Sequence, residues 1–267
     1  EDIQMVGKLL KYDLKNQARR LVPYCLIALA TALIVRLLSL GHGPVFSTLQ
    51  TIAISVDIVL LIGCVLMPLI SGWTYMIRSM YKDEGYLTNT LPVSRSSVYI
   101  AQWLSGMLGL LLCLATAALG LWIAFYSQDY QMVINGIVMT GKEALGYSST
   151  SALLASVFFV YYFEMGFAMT AGYAGIVLGY RCWKDKPAKA VLFGLGLYFL
   201  GSVLSVAILF VYGLFDPSVM ELFRESAEPG VTMIKSIFML GTMYYIVVSL
   251  ALDAIALKTL SKGVNLE

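Results

Sequence analysis

Residues 78–95 read RSMYKDEGYLTNTLPVSR. This polar stretch separates two long apolar runs, residues 51–77 and 98–126. It holds a short charged piece, Tyr81-Lys82-Asp83-Glu84. Gly85 then lets the chain turn, and Pro92 stops any helix before the next run begins. Each flanking run exceeds the roughly 20 apolar residues that a helix needs to cross a bilayer. A short polar break between two such runs is the signature of consecutive membrane-spanning helices.

Composition carries the same message for the whole chain. Of 267 residues, 59% are hydrophobic and 13% charged. A soluble domain carries about 25% charged residues. The mean hydropathy is +0.80, the value of an integral membrane protein. A net charge of +2 gives no basis for a nucleic-acid partner. The four cysteines, Cys25, Cys64, Cys113 and Cys182, lie in or at the ends of apolar runs and form no CxxC or Cys/His cluster. They read as small buried hydrophobes, with no disulfide framework and no metal site. Glu1 and Asp2 have the wrong sign for the start of a cleavable signal, and no cleavage site follows.

Working outward gives an all-α polytopic membrane protein read as a single domain, 1–267. An N-terminal amphipathic helix spans residues 3–20. Ile3, Val6, Leu10 and Leu14 mark one flank and Lys8, Lys11, Lys15 and Arg19 another, which suits a helix lying in the headgroup layer. Six spans follow at about 21–40, 51–77, 98–126, 151–180, 190–215 and 231–257. Backbone in lipid must satisfy its own hydrogen bonds, so these are helices. The alternation of a membrane barrel is absent.

Lys and Arg set the orientation. One side receives Lys8, Lys11, Lys15, Arg19 and Arg20, then Arg78, Lys82 and Arg95. It also receives Arg181, Lys184, Lys186 and Lys189, and finally Lys258 and Lys262. The other side has only Lys142, Arg224 and Lys235. Both termini are therefore expected in the cytoplasm, together with residues 78–95. The outer loops comprise residues 41–50, with the single histidine His42, residues 127–150, and residues 216–230. The last begins Asp216-Pro217, a helix start, and is expected to form a short amphipathic helix.

Enzyme motifs fail. Residues 136–143 nearly match a phosphate-binding loop, but Glu143 stands where magnesium needs a Ser or Thr, and its charge repels phosphate. Gly146-Tyr147-Ser148 has no base linked to it by spacing, and one histidine cannot complete a protease metal set. The chain is not expected to be an enzyme by itself.

Four ionisable residues fall inside apolar runs: Arg36, Asp57, Glu164 and Asp253. Each is costly in lipid unless paired or facing water. Arg36 and Asp57 lie about 6 and 9 Å from the same side at 1.5 Å per residue, so they are expected to pair and brace spans 1 and 2. Asp253 lies near the inner end of span 6, within reach of water or basic loop residues. Glu164, near the middle of span 4, has no cation at matching depth and is a candidate for a translocation path or a structural contact.

Two motifs carry a family resemblance: Leu9-Leu10-Lys11-Tyr12-Asp13-Leu14-Lys15, and Asp83-Glu84-Gly85-Tyr86-Leu87 with Leu91-Pro92-Val93-Ser94-Arg95. With six spans and a basic lead-in helix, the chain resembles the permease subunit of ABC-2 type transporters, small Gram-positive exporters of peptides, bacteriocins and drugs. The phenol-soluble modulin exporters are one such subgroup. The resemblance implies a type V exporter-like fold. It also implies a coupling helix around residues 80–86 that docks into an ATPase, through Tyr81, Lys82, Asp83, Glu84, Gly85, Tyr86, Leu87, Pro92 and Arg95. Arg181, Lys184 and Lys186 would form a smaller second contact. The helix within residues 216–230 would correspond to the outer re-entrant or gate region. Two ABC ATPase subunits holding ATP and magnesium, and a second permease chain, identical or related, would complete the assembly in the plasma membrane. The cargo implied is a hydrophobic or amphipathic molecule, a toxin or antimicrobial peptide being favoured. The alternatives are an ion-coupled secondary transporter and a non-transporting scaffold or sensor subunit.

Overall fold

The computed structural model describes residues 2–82, 84–90, 93–125, 147–215 and 231–263, with isolated positions between 132 and 142; for residues 2–5, 87–89 and 231–235 it describes the backbone only. The expected outer helix within 216–230 lies outside the described residues. So do most of residues 127–146, including Ile137, Thr140 and Glu143 of the failed phosphate-loop match. The described elements are all helical: α1 (Asp2–Leu38), α2 (Pro44–Met80), the short α3 (Gly85–Thr90), α4 (Arg95–Ala124), α5 (Thr150–Gly179), α6 (Lys186–Phe215) and α7 (Val231–Leu260). Six of them are long and apolar enough to cross a membrane. This is a multi-pass membrane protein.

The chain divides into two compact units, residues 1–132 with 257–267, and residues 133–256. In the first unit α1, α2 and α4 pack together, with α2 antiparallel to the other two. The register follows from the contacts. Tyr24 donates to the Leu60 carbonyl, Thr31 faces Asp57, and Cys25 faces Cys113. Leu21, Cys25, Ala28, Leu61, Cys64 and Cys113 form the buried centre. Ala32, Val35 and Ala124 form a second cluster toward the α1–α2 turn. Glycine permits the close crossings: a Cβ on Gly109 would strike Gln17 and Leu21, and one on Gly120 would strike Leu61. At the turn, Gly43 adopts φ 112° and hands over to Pro44 at the first position of α2, where the missing N–H of proline is harmless.

The expected boundary between an interfacial helix and span 1 is not where the chain bends. Residues 3–20 run on into the first span as the single helix α1. The expected apolar flank is also corrected. Asp13, Gln17 and Leu21 are buried, while Leu10 and Leu14 are only half-buried. Residues four apart share one helix face, and this face meets polar partners on α2 and α4. Tyr75 of α2 donates to Asp13 at 2.7 Å, and Ser105 of α4 donates to Gln17 at 3.1 Å; separately, Gln102 of α4 donates to Ser79 of α2 at 2.8 Å. Arg20 lies over the Tyr75 ring, 5.9 Å from its centre. The lysines at 8, 11 and 15 stay out of this packing.

In the second unit α5 and α6 form a hairpin built on small residues. Ala171, Gly175 and Gly179 repeat every fourth residue on α5, as do Ala190 and Gly194 on α6. A Cβ on Gly175 would come closer than 3.0 Å to the Gly194 backbone, and one on Gly179 would do the same against Ala190. Backbones meet this closely in membranes because small residues leave nothing between them. Further along, Phe167 is fully buried, with Tyr198 of α6 and Tyr245 of α7 stacked on it at 5.6 and 5.7 Å between ring centres. Tyr244 donates to the Gly201 carbonyl and ties α7 to α6.

Candidate functional site

The connection from α2 to α4 is more structured than a solvated loop. The N–H of Lys82 bonds back to the Ile77 carbonyl, that of Glu84 to Arg78, and that of Gly85 to Lys82 at 2.7 Å. These bonds turn the chain before Gly85, so glycine opens the short helix α3 instead of ending one. The helix expected around residues 80–86 is accordingly displaced: Met80 is the last residue of α2, and the separate helix is Gly85–Thr90. Ser94 caps α4, its hydroxyl accepting from the Ser97 N–H at 3.1 Å, which places Arg95 in the first turn of α4.

The side chains sort into two groups. Tyr81 is buried at 2% exposure and belongs to the packing of its own unit, so it offers no ring to a partner. Tyr86 is 57% exposed and Lys82 is exposed. Glu84 pairs with Arg78 across the turn, both half-exposed. An ion pair this open adds at most about 1 kcal/mol, but it fixes the direction in which the turn leaves α2. Asp83, Pro92 and the side chain of Leu87 lie outside the described residues.

Asp57 meets a different partner from the one expected. Thr31 Oγ1 lies 2.7 Å from its carboxylate, and the carboxylate is buried. The group that α1 presents to Asp57 is Thr31, more than one turn before Arg36. Depth in the sequence placed Arg36 and Asp57 at similar levels, but the face of α1 that packs against α2 passes through Thr31. Arg36 is half-buried in the last turn of α1.

Between α5 and α6, Arg181 and Lys184 are exposed and Lys186 opens α6 half-buried. Trp183 stands between them, 87% exposed. The sequence reading did not single it out, although a tryptophan among cations is the usual composition of a membrane interface.

Glu164 sits on α5, half-buried. Tyr161 precedes it by one turn and Phe167 follows it by one turn, so each neighbours it on the helix surface, Tyr161 on the exposed side and Phe167 on the buried side. Tyr245 of α7 reaches the following turn of α5 through its stack on Phe167. Among the described residues no hydrogen bond or ion pair engages Glu164. The aromatic wall continues through Phe158, which stacks with Tyr162 at 6.3 Å and 2°, and Tyr162 meets Phe163 edge-on. Spacing reveals Tyr161 and Phe167 as neighbours of Glu164 on α5; it gives no sign that Tyr198 and Tyr245 come to Phe167. No group of His, Cys, Asp and Glu among the described residues is arranged to hold a metal ion.

No family model, no curated protein and no solved structure matches this chain.

Proposed function

We propose that this chain is the membrane-spanning permease subunit of an ATP-driven exporter of the ABC-2 class. In this reading it lies in the plasma membrane with both termini in the cytoplasm. It carries no catalytic site of its own. Two partner ABC ATPases hold ATP and magnesium, and a second permease chain, identical or related, completes the transport path. The cargo is a hydrophobic or amphipathic molecule.

The observation that carries this reading is the short helix α3, set between two spans and packed against α2. A membrane protein that only needed to connect α2 to α4 has no use for an ordered turn, an ion pair and an exposed tyrosine there. A protein that receives force from a partner does, because a lever must be stiff at its base and open at its tip. Arg78–Glu84 and buried Tyr81 supply the stiff base. Tyr86 supplies the tip, and tyrosine is among the residues that dominate interface energetics.

The test is purification from the native membrane. An ATPase should co-purify with the wild-type chain and leave on Tyr86→Ala. Truncating such an anchor costs about 2 kcal/mol or more, a loss of affinity of about thirtyfold. Retention of the ATPase by Tyr86→Ala combined with Glu84→Lys, with membrane insertion intact, would exclude α3 as the coupling element.

A further inference from the structure

We propose that the turn between α5 and α6 binds the headgroup of an anionic phospholipid through Arg181, Lys184, Lys186 and Lys189, with Trp183 seated beside it in the headgroup layer. The proposal goes beyond the export reading and holds with or without an ATPase.

The turn crowds positive charge. Gly179 and Ala190 bring the backbones of α5 and α6 into contact, so residues 180–189 leave and return to one place. Backbone bonds hold them there. The Arg181 N–H donates to the Leu178 carbonyl at 3.3 Å, that of Cys182 to Gly179 at 3.0 Å, and that of Lys189 to Asp185 at 2.9 Å. A closed turn of this size is about 10 Å across, comparable with a Debye length, so the repulsion among its cations is poorly screened. The protein does not neutralise them itself. Asp185 is the one acid in the turn. Among the described residues no ion pair joins it, or any other carboxylate, to Arg181, Lys184 or Lys189. The turn after α2 differs, since there Arg78 is paired with Glu84.

Depth points to a lipid. Val191 and Leu192 of α6 are apolar and exposed, as residues facing hydrocarbon are. Lys189 and Lys186 precede Val191 by about 3 and 8 Å at 1.5 Å per residue, and the headgroup layer is about 5–8 Å deep on each side of the hydrocarbon. Trp183, next to Lys184 and fully out of the packing, has the apolar body and single N–H that suit this layer. The charge bias assigns the turn to the cytoplasmic leaflet, where anionic lipids set a negative surface potential. A phosphodiester accepts from a guanidinium through two oxygens at once, and the ammonium groups add point charges. A zwitterionic headgroup presents its phosphate with a cation attached, which this cluster repels. An ATPase that reaches the same turn must displace the headgroup.

Trp183 reports the site directly. With Trp73, Trp103 and Trp122 replaced by phenylalanine, the full chain is placed without partner in nanodiscs of phosphatidylcholine that hold a minority of phosphatidylglycerol. One lipid at a time carries bromine, which quenches tryptophan on contact. Brominated phosphatidylglycerol should quench Trp183 as if enriched roughly fivefold or more over its share of the bilayer, the factor that one cation contributes at an anionic surface. Arg181→Gln with Lys184→Gln should remove most of that excess, and Arg181→Lys with Lys184→Arg, which keeps the charge, should preserve it. Lys8→Gln with Lys11→Gln removes as much charge elsewhere and should leave the excess unchanged. The proposal is overturned if the two lipids quench in proportion to their abundance, which would leave these cations to a protein partner. It is also overturned if the Gln pair at 181 and 184 keeps the excess, or if the pair at 8 and 11 abolishes it equally, which would mean a diffuse field and no site. Native mass spectrometry of the chain with its tryptophans intact reads the same site independently: the Gln pair at 181 and 184 should retain less phosphatidylglycerol than wild type, and equal retention overturns the proposal. Failure of an ATPase to co-purify would end the export reading and leave this site standing.

Discussion

Thr31 Oγ1 lies 2.7 Å from Asp57 Oδ1 and 2.9 Å from the Ala28 carbonyl, and its one proton serves one of them at a time. That hydroxyl is what makes a buried carboxyl tolerable inside the α1–α2 pair. Thr31→Val keeps the shape and removes the donor. It should destabilise the protein by about 1–3 kcal/mol, the cost of leaving a buried acceptor unsatisfied, and Thr31→Ser should recover most of the loss. The midpoint of thermal unfolding in detergent reads both. If Thr31→Val unfolds with wild-type stability, the carboxyl is held by something other than Thr31. The same reasoning applies one layer away, where Tyr75→Phe strips the donor from buried Asp13 and should lower the midpoint in the same way.

Two pairs of elements show how these spans find one another, by different means. α1 and α4 are registered by side chains: Gln17 on Ser105, and Cys25 Sγ at 3.8 Å from Cys113 Sγ. With Cys64 and Cys182 replaced by alanine, a membrane-permeant oxidant should join Cys25 to Cys113, since a disulfide needs only that the sulfurs close to about 2.05 Å. A linked peptide pair in the digest confirms the register, and its absence after complete oxidation of both thiols refutes it. α5 and α6 are registered by absence of side chains. Gly175→Ala puts a carbon against backbone that cannot yield, so the helices must part, and overpacking of this kind costs roughly 1–3 kcal/mol. Gly196→Ala and Gly241→Ala meet nothing within 4 Å and should behave as wild type in the same unfolding assay. The existence of these elements was plain in the sequence, because six apolar runs separated by polar breaks leave little freedom. Their faces were not. Leu10 and Leu14 pointed to one flank of α1, whereas the structure buries Asp13 and Gln17. The soluble rule inverts where polar groups find better partners inside than out. On α5 and α6 nearly every residue is apolar, so hydrophobic periodicity carries no direction. The information lay in the spacing of Ala171, Gly175 and Gly179, and in aromatic rings, Phe167, Tyr198 and Tyr245, that come together from three separate helices.

Over the whole chain, the distribution of Lys and Arg makes the most general demand. The exposed cations Lys82 in the first unit and Lys184 in the second both fall on the side that the charge bias assigns to the cytoplasm. The export reading needs this, because an ATPase can receive α3 and the Arg181–Trp183–Lys184 turn only from the compartment that holds ATP. Starting from a cysteine-free chain, single cysteines at positions 82, 184 and 262 should resist a membrane-impermeant maleimide in intact cells and react once the membrane is opened. A cysteine at position 42, where His42 is exposed in the α1–α2 turn, should react in intact cells. The four sites are not redundant. Reaction of position 184 from outside, with 82 and 262 protected, would mean that the second unit presents its basic turn to the wrong compartment for a second ATPase contact. Reaction of position 82 from outside is the more severe outcome, since α3 would then face a compartment without ATP. The coupling proposal would fail even though all six spans remained where they are.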